Sequence, residues 1–263
     1  MIVRNEQQMK SIREAAQVAA TVLDRMVELV VPGINTNTYD LDQSGRRFIE
    51  ELGAESACYK YQVGSRVYPA FTCLSINNEV VHGIGSLNRV LNEGDIISVD
   101  VCTRYNGYIG DNCRTVAVGE VSEEARNLLD VTEEAMYEGI KMAKAGHRVG
   151  KISNIVQKTV QKAGFSVVRD FVGHGVGRSL HEEPQIPNFG KPSSGPKLRD
   201  GAVVCIEPMV NVGGHRIVMG DDGWTASTTD GSLSAHFEHT VLIGTEGPEI
   251  LSVPQGREAP VLV

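Results

Sequence analysis

The sequence predicts an α+β fold made of two halves of similar plan, on three observations. Helical stripes and strand-like runs arrive in blocks, helices then strands and again helices then strands, not in a βαβ alternation. The strand-like blocks carry hairpin chemistry, clearest at Asn106-Gly107, where both turn positions favour positive φ. The 263 residues, 41 % hydrophobic and 22 % charged, suit one large core. A chain of that size removes roughly 70–75 % of its unfolded surface from water without needing staples.

In chain order, Asn5 is read as a helix cap with Gln8 as its reciprocal partner. Ile12, Ala16, Ala19, Leu23, Met26 and Val30 then recur at alternating steps of four and three, and Pro32-Gly33 stops the stripe. A second stripe, Leu41, Phe48 and Leu52, ends at Gly53. Residues 68–118 turn to short β-branched and aromatic runs broken by Asn and Gly, the texture of strands. Ser122 caps a third helix, with Glu123 and Glu124 favoured by the dipole in its first turn, running to Gly146. Val149, Ile152, Val156, Val160 and Ala163 form a fourth stripe, ended by Gly164. Strand-like runs follow at 165–172, 202–212, 216–219 and 233–243, and 191–197 reads as a surface loop. No repeat or linker divides the chain, so 1–263 is taken as a single domain with halves of roughly 1–121 and 122–263.

The formal charge of −8 lacks the basic face that nucleic acid or anionic lipid requires. The opening residues turn polar at once, unlike a secretory signal, and no apolar run approaches the ~20 residues of a membrane span. Five cysteines, an odd number in a chain this large, point to a reduced, cytoplasmic setting.

A two-residue turn at Asn106-Gly107 sets Asp111 opposite Cys102 and Cys113 opposite Asp100. Asp100 and Asp111 then leave the same face as diagonal neighbours, roughly 7–8 Å apart. Ile96, Ile97, Val99 and Val101 bury Asp100, and two close buried carboxylates repel unless a cation sits between them. Cys102 and Cys113 share that face, either as thiolate ligands of a zinc-type site or as small polarisable neighbours of the acids; the second role suits them better.

Glu207 and Glu238 are each an acid centred in an apolar run, where unpaired burial costs several kcal/mol. Alternation puts His236 on the face of Glu238 and His239 on the other. His174 stands between Gly173 and Gly175, whose missing Cβ atoms let backbone or ligand come close. The glycines spell G-x-G-x-G, not a dinucleotide fingerprint, and neither His174 nor His181 belongs to an H-E-x-x-H pair. His82 lies between an apolar pair and Gly83, while His147 and His215 read as surface residues. A lone buried His or Glu is usually a satisfied core residue. Four carboxylates and one imidazole together form a hard, oxygen-rich set suited to two divalent cations that activate a water for hydrolysis.

Taken in order, these motifs resemble the bacterial type I methionine aminopeptidases: N-N-E-V-V-H-G-I-G with His82, S-V-D-V with Asp100, and G-D-N-C-R-T with Asp111. V-G-H-G-V-G-R-S-L-H-E-E-P with His174 and His181, I-E-P-M-V with Glu207, and S-L-S-A-H-F-E-H-T with Glu238 complete the match, which runs across nearly the whole chain. The resemblance implies the pita-bread fold, two pseudo-symmetric α+β halves around a curved antiparallel sheet with a metal site at its centre. It implies two divalent ions, of Co, Mn, Fe or Zn. Asp100 would chelate one, Asp111 and Glu238 would bridge both, and His174 and Glu207 would complete the other. Glu207 would also act as general base for the bridging water. His181 would contact the scissile carbonyl, and His82 would assist near the N-terminal amine and the tetrahedral intermediate.

The implied substrate is a nascent polypeptide, met at the ribosome, that begins with Met and has a small second residue. Tyr68, Cys73, Trp224 and Cys58 match positions lining the methionine pocket. No nucleic acid or membrane partner is expected, and the chain is expected to be a monomer. The segment between Cys58 and Cys73 is a few residues longer than in familiar relatives, which leaves Tyr59, Tyr61 and Tyr68 as alternatives for one tyrosine position. Leu180 stands where Phe is common, loosening that wall, and Cys113 stands where a hydroxyl is usual. His236 replaces a frequent Gln and is placed to hydrogen-bond a ligand carboxylate or tune the metal. Prolidases and aminopeptidase P carry an extra N-terminal domain, whereas the first substrate motif here comes about seventy residues in. Type II enzymes carry a helical insertion where only 26 positions separate His181 from Glu207. Non-catalytic relatives have lost ligands, and all five positions are intact here.

Overall fold

The structure, a computed structural model, describes residues 1–32, 37–254, 256–259 and 262. Four α-helices occur among them. α1 (Glu6–Val27) begins where the Asn5 side chain accepts the Gln8 N–H, as the capping pattern predicts. It ends before Val30, because Leu29 and Val30 bond back to Met26 and Val27, three residues away, and tighten the last turn. Pro32 lies beyond the helix, and Gly33 falls outside the described residues. α2 (Thr38–Glu51) is capped by Asn37. α3 (Glu123–Lys141) is capped by Ser122, which accepts the Ala125 N–H. It also stops short of its glycine, Gly146, through the same three-residue tightening at Met142 and Ala143. α4 (Val149–Lys162) follows the fourth stripe.

The largest sheet among the described residues has nine strands, all paired antiparallel. Its path runs Glu55–Ser56, Ile96–Tyr105, Tyr108–Ala117, Glu238–Ile243, Val203–Ile206, Gly173–Gly175 and Glu182–Ile186, with Cys73–Ile76 on the hairpin and Pro248–Ile250 on the Glu238 strand. The Asn106-Gly107 turn sets the central hairpin in the predicted register, Asp100 opposite Cys113 and Cys102 opposite Asp111. Asn106 and Gly107 both take positive φ, 50° and 79°. Of the run predicted at 165–172, only Ser166–Val167 is strand.

Side-chain alternation gives the sheet two different faces. Ile97, Val99 and Val101 pack with Ala19, Leu23 and Met26 of α1 and Leu41 and Ile49 of α2. Val204, Ile206, Val241 and Ile243 pack with Leu128, Met136 and Ile140 of α3 and Ile152, Val156 and Val160 of α4. With the apolar side chains spent on the helices, the intervening positions on these strands turn to the opposite face. Those positions carry Asp100, Cys102, Asp111, Cys113, Cys205 and Glu238.

Candidate active site

The hairpin supplies the first two acids. Asp111 is fully enclosed and accepts the Cys102 thiol at 3.0 Å, and the same sulphur stands 3.6 Å from Asp100. Burial raises both carboxyls well above the usual range, and for Asp100 the charge of Asp111 adds to it. Cys102 therefore serves as a neutral donor between the two acids. Cys113, on the same face, aims its thiol at the His236 carbonyl at 3.5 Å.

His174 enters from the short strand Gly173–Gly175. A Cβ on Gly173 would collide with the Cys205 carbonyl, and one on Gly175 with the Glu183 carbonyl. Of the two approaches the glycines allow, backbone is the one realised. His174 Nδ1 lies 3.0 Å from the Gly175 carbonyl, which can only accept, so Nδ1 carries the proton and Nε2 presents its lone pair. Nε2 faces Glu207 Oε1 at 3.2 Å and Asp111 Oδ2 at 3.8 Å. Burial lowers the imidazole to about 4, which keeps that lone pair free.

Glu207 follows the strand Val203–Ile206, and Glu238 begins the strand that pairs with the hairpin through Cys113. Glu207 Oε1, Glu238 Oε1 and His236 Nε2 are buried without a hydrogen-bond partner, and His236 Nε2 lies 3.6 Å from Glu207 Oε2. Burial pushes Glu207 up to about 8, and raises Glu238 with the neighbouring acids adding to it. Two groups of donor atoms each lie within 4.8 Å of one another: Asp111, His174, Cys205 and Glu238; and Asp100, Cys102 and Asp111. Asp111 belongs to both. No lysine or arginine lies among the described residues that line the cavity above these acids. Four clustered carboxyls, with oxygens of Glu207 and Glu238 orphaned and no protein cation beside them, fit divalent metal ions.

The cavity holds about 310 Å³. Every residue predicted for the site lines it: Cys58, Tyr68, Cys73, Leu180 and Trp224 on the walls, His82 and His181 beside them, and Asp100, Asp111, His174, Glu207 and Glu238 on the floor. His82 takes a left-handed backbone, φ 61°, uncommon for a side-chain-bearing residue outside functional sites. Its ring meets Phe171 edge-on, centroids 5.2 Å apart. The three candidate tyrosines separate. Tyr59 stacks on Phe71 away from the cavity, Tyr68 forms its wall with its hydroxyl on the Gly83 carbonyl, and Tyr61 reaches His181.

Against this geometry, the model of metallopeptidase family M24 matches residues 10–245. A methionine aminopeptidase of Clostridium perfringens is 46 % identical over 254 residues, covering 96 % of this chain and 99 % of that protein. The chain belongs to metallopeptidase family M24, among the methionine aminopeptidases. A methionine aminopeptidase structure from Thermotoga maritima, 43 % identical, superposes with a TM-score of 0.90 over 96 % of this chain and 99 % of the other. A prolidase from Pyrococcus horikoshii, 22 % identical, matches with a TM-score of 0.75 over 97 % of this chain and 64 % of its own, which shows the shared fold. The M24 pita-bread fold is thus the one that the resemblance implies, and it agrees with the order of helices and strands. Between His181 and Glu207 this M24 chain has the strand Glu182–Ile186 and no helix among the described residues, in keeping with the short spacing.

Sequence reasoning missed Cys205, whose sulphur lies within the donor group of Asp111, His174 and Glu238. Its signal was present: two positions before Glu207 on an alternating strand, it faces the same way. Phe171, Val172, Met209, Val81 and Val63 also line the M24 cavity and looked like ordinary core or loop residues. His239 lies on the far face as predicted, with Ser252 2.8 Å from Nδ1. His147 and His215 stay outside the cavity but are half-buried rather than open to solvent.

Proposed function

We propose that this protein is an exopeptidase that removes the first methionine from polypeptides whose second residue is small, using two divalent cations held by Asp100, Asp111, His174, Glu207 and Glu238. The observation that carries the reading is a floor of four carboxyls, two of them with orphaned oxygens, beneath an apolar, sulphur-lined cavity. Asp100 would serve one cation, Asp111 and Glu238 both, and His174 and Glu207 the second; the membership of Asp111 in both donor groups supports its part in that sharing. Bound there, the cations supply Lewis acidity and lower the pKa of a water. Mn, Fe, Co and Zn all suit this oxygen-rich set.

The chain's own groups do the rest. Glu207, on the cavity floor beside the place of the attacking water, takes its proton. His181 contacts the scissile carbonyl and stabilises the charge that develops on its oxygen. His82 assists near the amine and the tetrahedral intermediate. The methionine side chain enters between Cys58, Tyr68, Cys73, Leu180 and Trp224, where a thioether gains about 0.3–1.5 kcal/mol from each aromatic contact. A small second residue is a steric requirement. The proposed setting is the cytoplasm, with a monomeric chain acting on nascent polypeptides at the ribosome. The net charge of −8 supports the expectation of no nucleic acid partner, and no helix among the described residues is long and apolar enough to cross a membrane.

N-terminal product analysis on a panel of Met-X peptides, with each metal restored to chelated protein, tests the whole reading. Release of methionine only with metal present and X small is expected. Release of other first residues at equal rates, or turnover without any metal, overturns it.

A further inference from the structure

The residues between Cys58 and Cys73 fold into a short hairpin on the cavity rim, Gln62–Val63 against Arg66–Val67. Pairing continues outward, with the Tyr68 N–H on the Tyr61 carbonyl at 2.8 Å and the Lys60 N–H on the Tyr68 carbonyl at 2.9 Å. The hairpin is braced twice. The Tyr68 hydroxyl donates to the Gly83 carbonyl at 2.9 Å, and the Arg66 guanidinium donates to the Gly223 carbonyl while lying over the Trp224 ring. The Tyr61 N–H is held as well, by the Cys58 carbonyl at 2.9 Å. With its backbone fixed on both sides, Tyr61 sets its ring edge-on to His181 and its hydroxyl 2.6 Å from Nδ1.

The Tyr61 hydroxyl and Nδ1 of His181 share a hydrogen bond, and the role of each follows from what the other ring nitrogen must do. A substrate carbonyl oxygen can only accept, so an Nε2 that meets it carries the proton, and Nδ1 is left to accept from the phenol. In a neutral imidazole the accepting nitrogen is bare and the other carries the proton. No protein group among the described residues bonds Nε2 of His181, whose ring lines the cavity.

We infer that Tyr61 is a positioning residue: its hydroxyl holds His181 as the Nε2–H tautomer and so turns a donor, not a lone pair, toward the substrate carbonyl. The inference rests on the reading of His181 as the group that meets that carbonyl. A donor there stabilises negative charge as it builds on the oxygen, whereas a lone pair repels it. His174 shows the opposite choice. Its Nδ1 donates to the Gly175 carbonyl, so its bare Nε2 faces the carboxyls. Two imidazoles with centroids 4.5 Å apart are thereby fixed as opposite tautomers, one offering electrons to the acidic floor and one offering a proton to the substrate.

The test compares the zinc-loaded wild-type protein with Tyr61→Phe, both labelled with ¹⁵N-histidine. Two-bond proton–nitrogen correlation identifies the bare nitrogen of each ring, and His181 is assigned by its absence in His181→Gln. The wild type should show His181 protonated at Nε2 and bare at Nδ1, and His174 protonated at Nδ1 with Nε2 carrying the shift of a zinc-bound nitrogen. In Tyr61→Phe, His181 alone should change to a tautomer mixture, and kcat on Met-Ala-Ser should fall about tenfold while KM moves less than about twofold. A wild-type His181 protonated at Nδ1, an unchanged pattern in Tyr61→Phe, or a changed pattern with unchanged kcat overturns the inference. If no metal restores turnover to the wild type on any Met-X peptide, it is the peptidase reading that fails, and the nitrogen spectra still decide the tautomer.

Discussion

Asp100 and Asp111 stand on neighbouring strands of one hairpin, each directly opposite a cysteine, so their carboxyls leave the same face two residues out of step. The Cys102 thiol sits between them, 3.0 Å from Asp111 and 3.6 Å from Asp100. That offset lets Asp111 reach a second group of donors on the strands of Glu238 and His174 while Asp100 remains with the first.

Asp111→Asn keeps the size of the shared carboxyl and removes its charge. Turnover of Met-Ala-Ser is expected to fall by more than about a hundredfold, with far-ultraviolet circular dichroism unchanged and metal stoichiometry by calorimetry reduced. Glu238→Ala should behave alike. Retained turnover in either variant contradicts the shared role.

The metal-free chain should have a pH-dependent stability that metal removes. Burial raises Glu207 to about 8, and raises Asp100, Asp111 and Glu238, so the folded chain keeps protons that the unfolded chain has lost. Burial lowers His82, His174 and His239 to about 4, so the folded chain binds fewer protons there below the ordinary histidine value of 6.5. Above about pH 6.5 the histidines no longer differ between states and the acids alone do, so stability falls as pH rises toward about 8. Calorimetry of chelated protein should show Tm dropping over that interval, and manganese-loaded protein should lack the drop. An equal Tm at both ends for the chelated form refutes the account.

Gly175→Ala places a methyl group against the Glu183 carbonyl, a backbone atom with nowhere to go. Urea unfolding should report a loss of about 1–3 kcal/mol, and His174 should bind metal more weakly as its strand shifts. Wild-type stability with wild-type metal affinity would show that the strand yields freely.

Trp224→Ala removes one wall of the side-chain pocket, including the edge-on contact with Tyr68 at 5.3 Å. KM for Met-Ala-Ser should rise about tenfold or more, with a smaller change in kcat, since in the proposed reading the ring meets the methionine side chain and not the reacting bond. A loss confined to kcat would move Trp224 out of the pocket's role.

The hairpin was legible because Asn-Gly turn chemistry and strict alternation together fix a register, and one register dictates every facing pair down to Ile96 and Ala117. Asp100, Glu207 and Glu238 were legible because each interrupts an apolar run, where an ionisable group has no cheap place to sit, and Asp111 because the hairpin register sets it on the face of Asp100. Cys205 was not, since a small sulphur-bearing residue in an apolar strand looks the same whether it faces a helix or a metal site. The assignment among Tyr59, Tyr61 and Tyr68 depends on where Arg66 finds Gly223 and Trp224, contacts made across more than 150 positions of sequence. Helix ends were misjudged at Val30 and Gly146 because hydrophobic spacing marks a stripe, while the turn that ends it is set by backbone bonding.

The strand that contributes Glu238 joins the hairpin by pairing Glu238 with Cys113 and His239 with Asn112. A copy still being synthesised therefore holds an incomplete donor set until residue 238 has been made and has travelled back to its place. Each new molecule is therefore expected to gain its full donor set only near the end of its own translation.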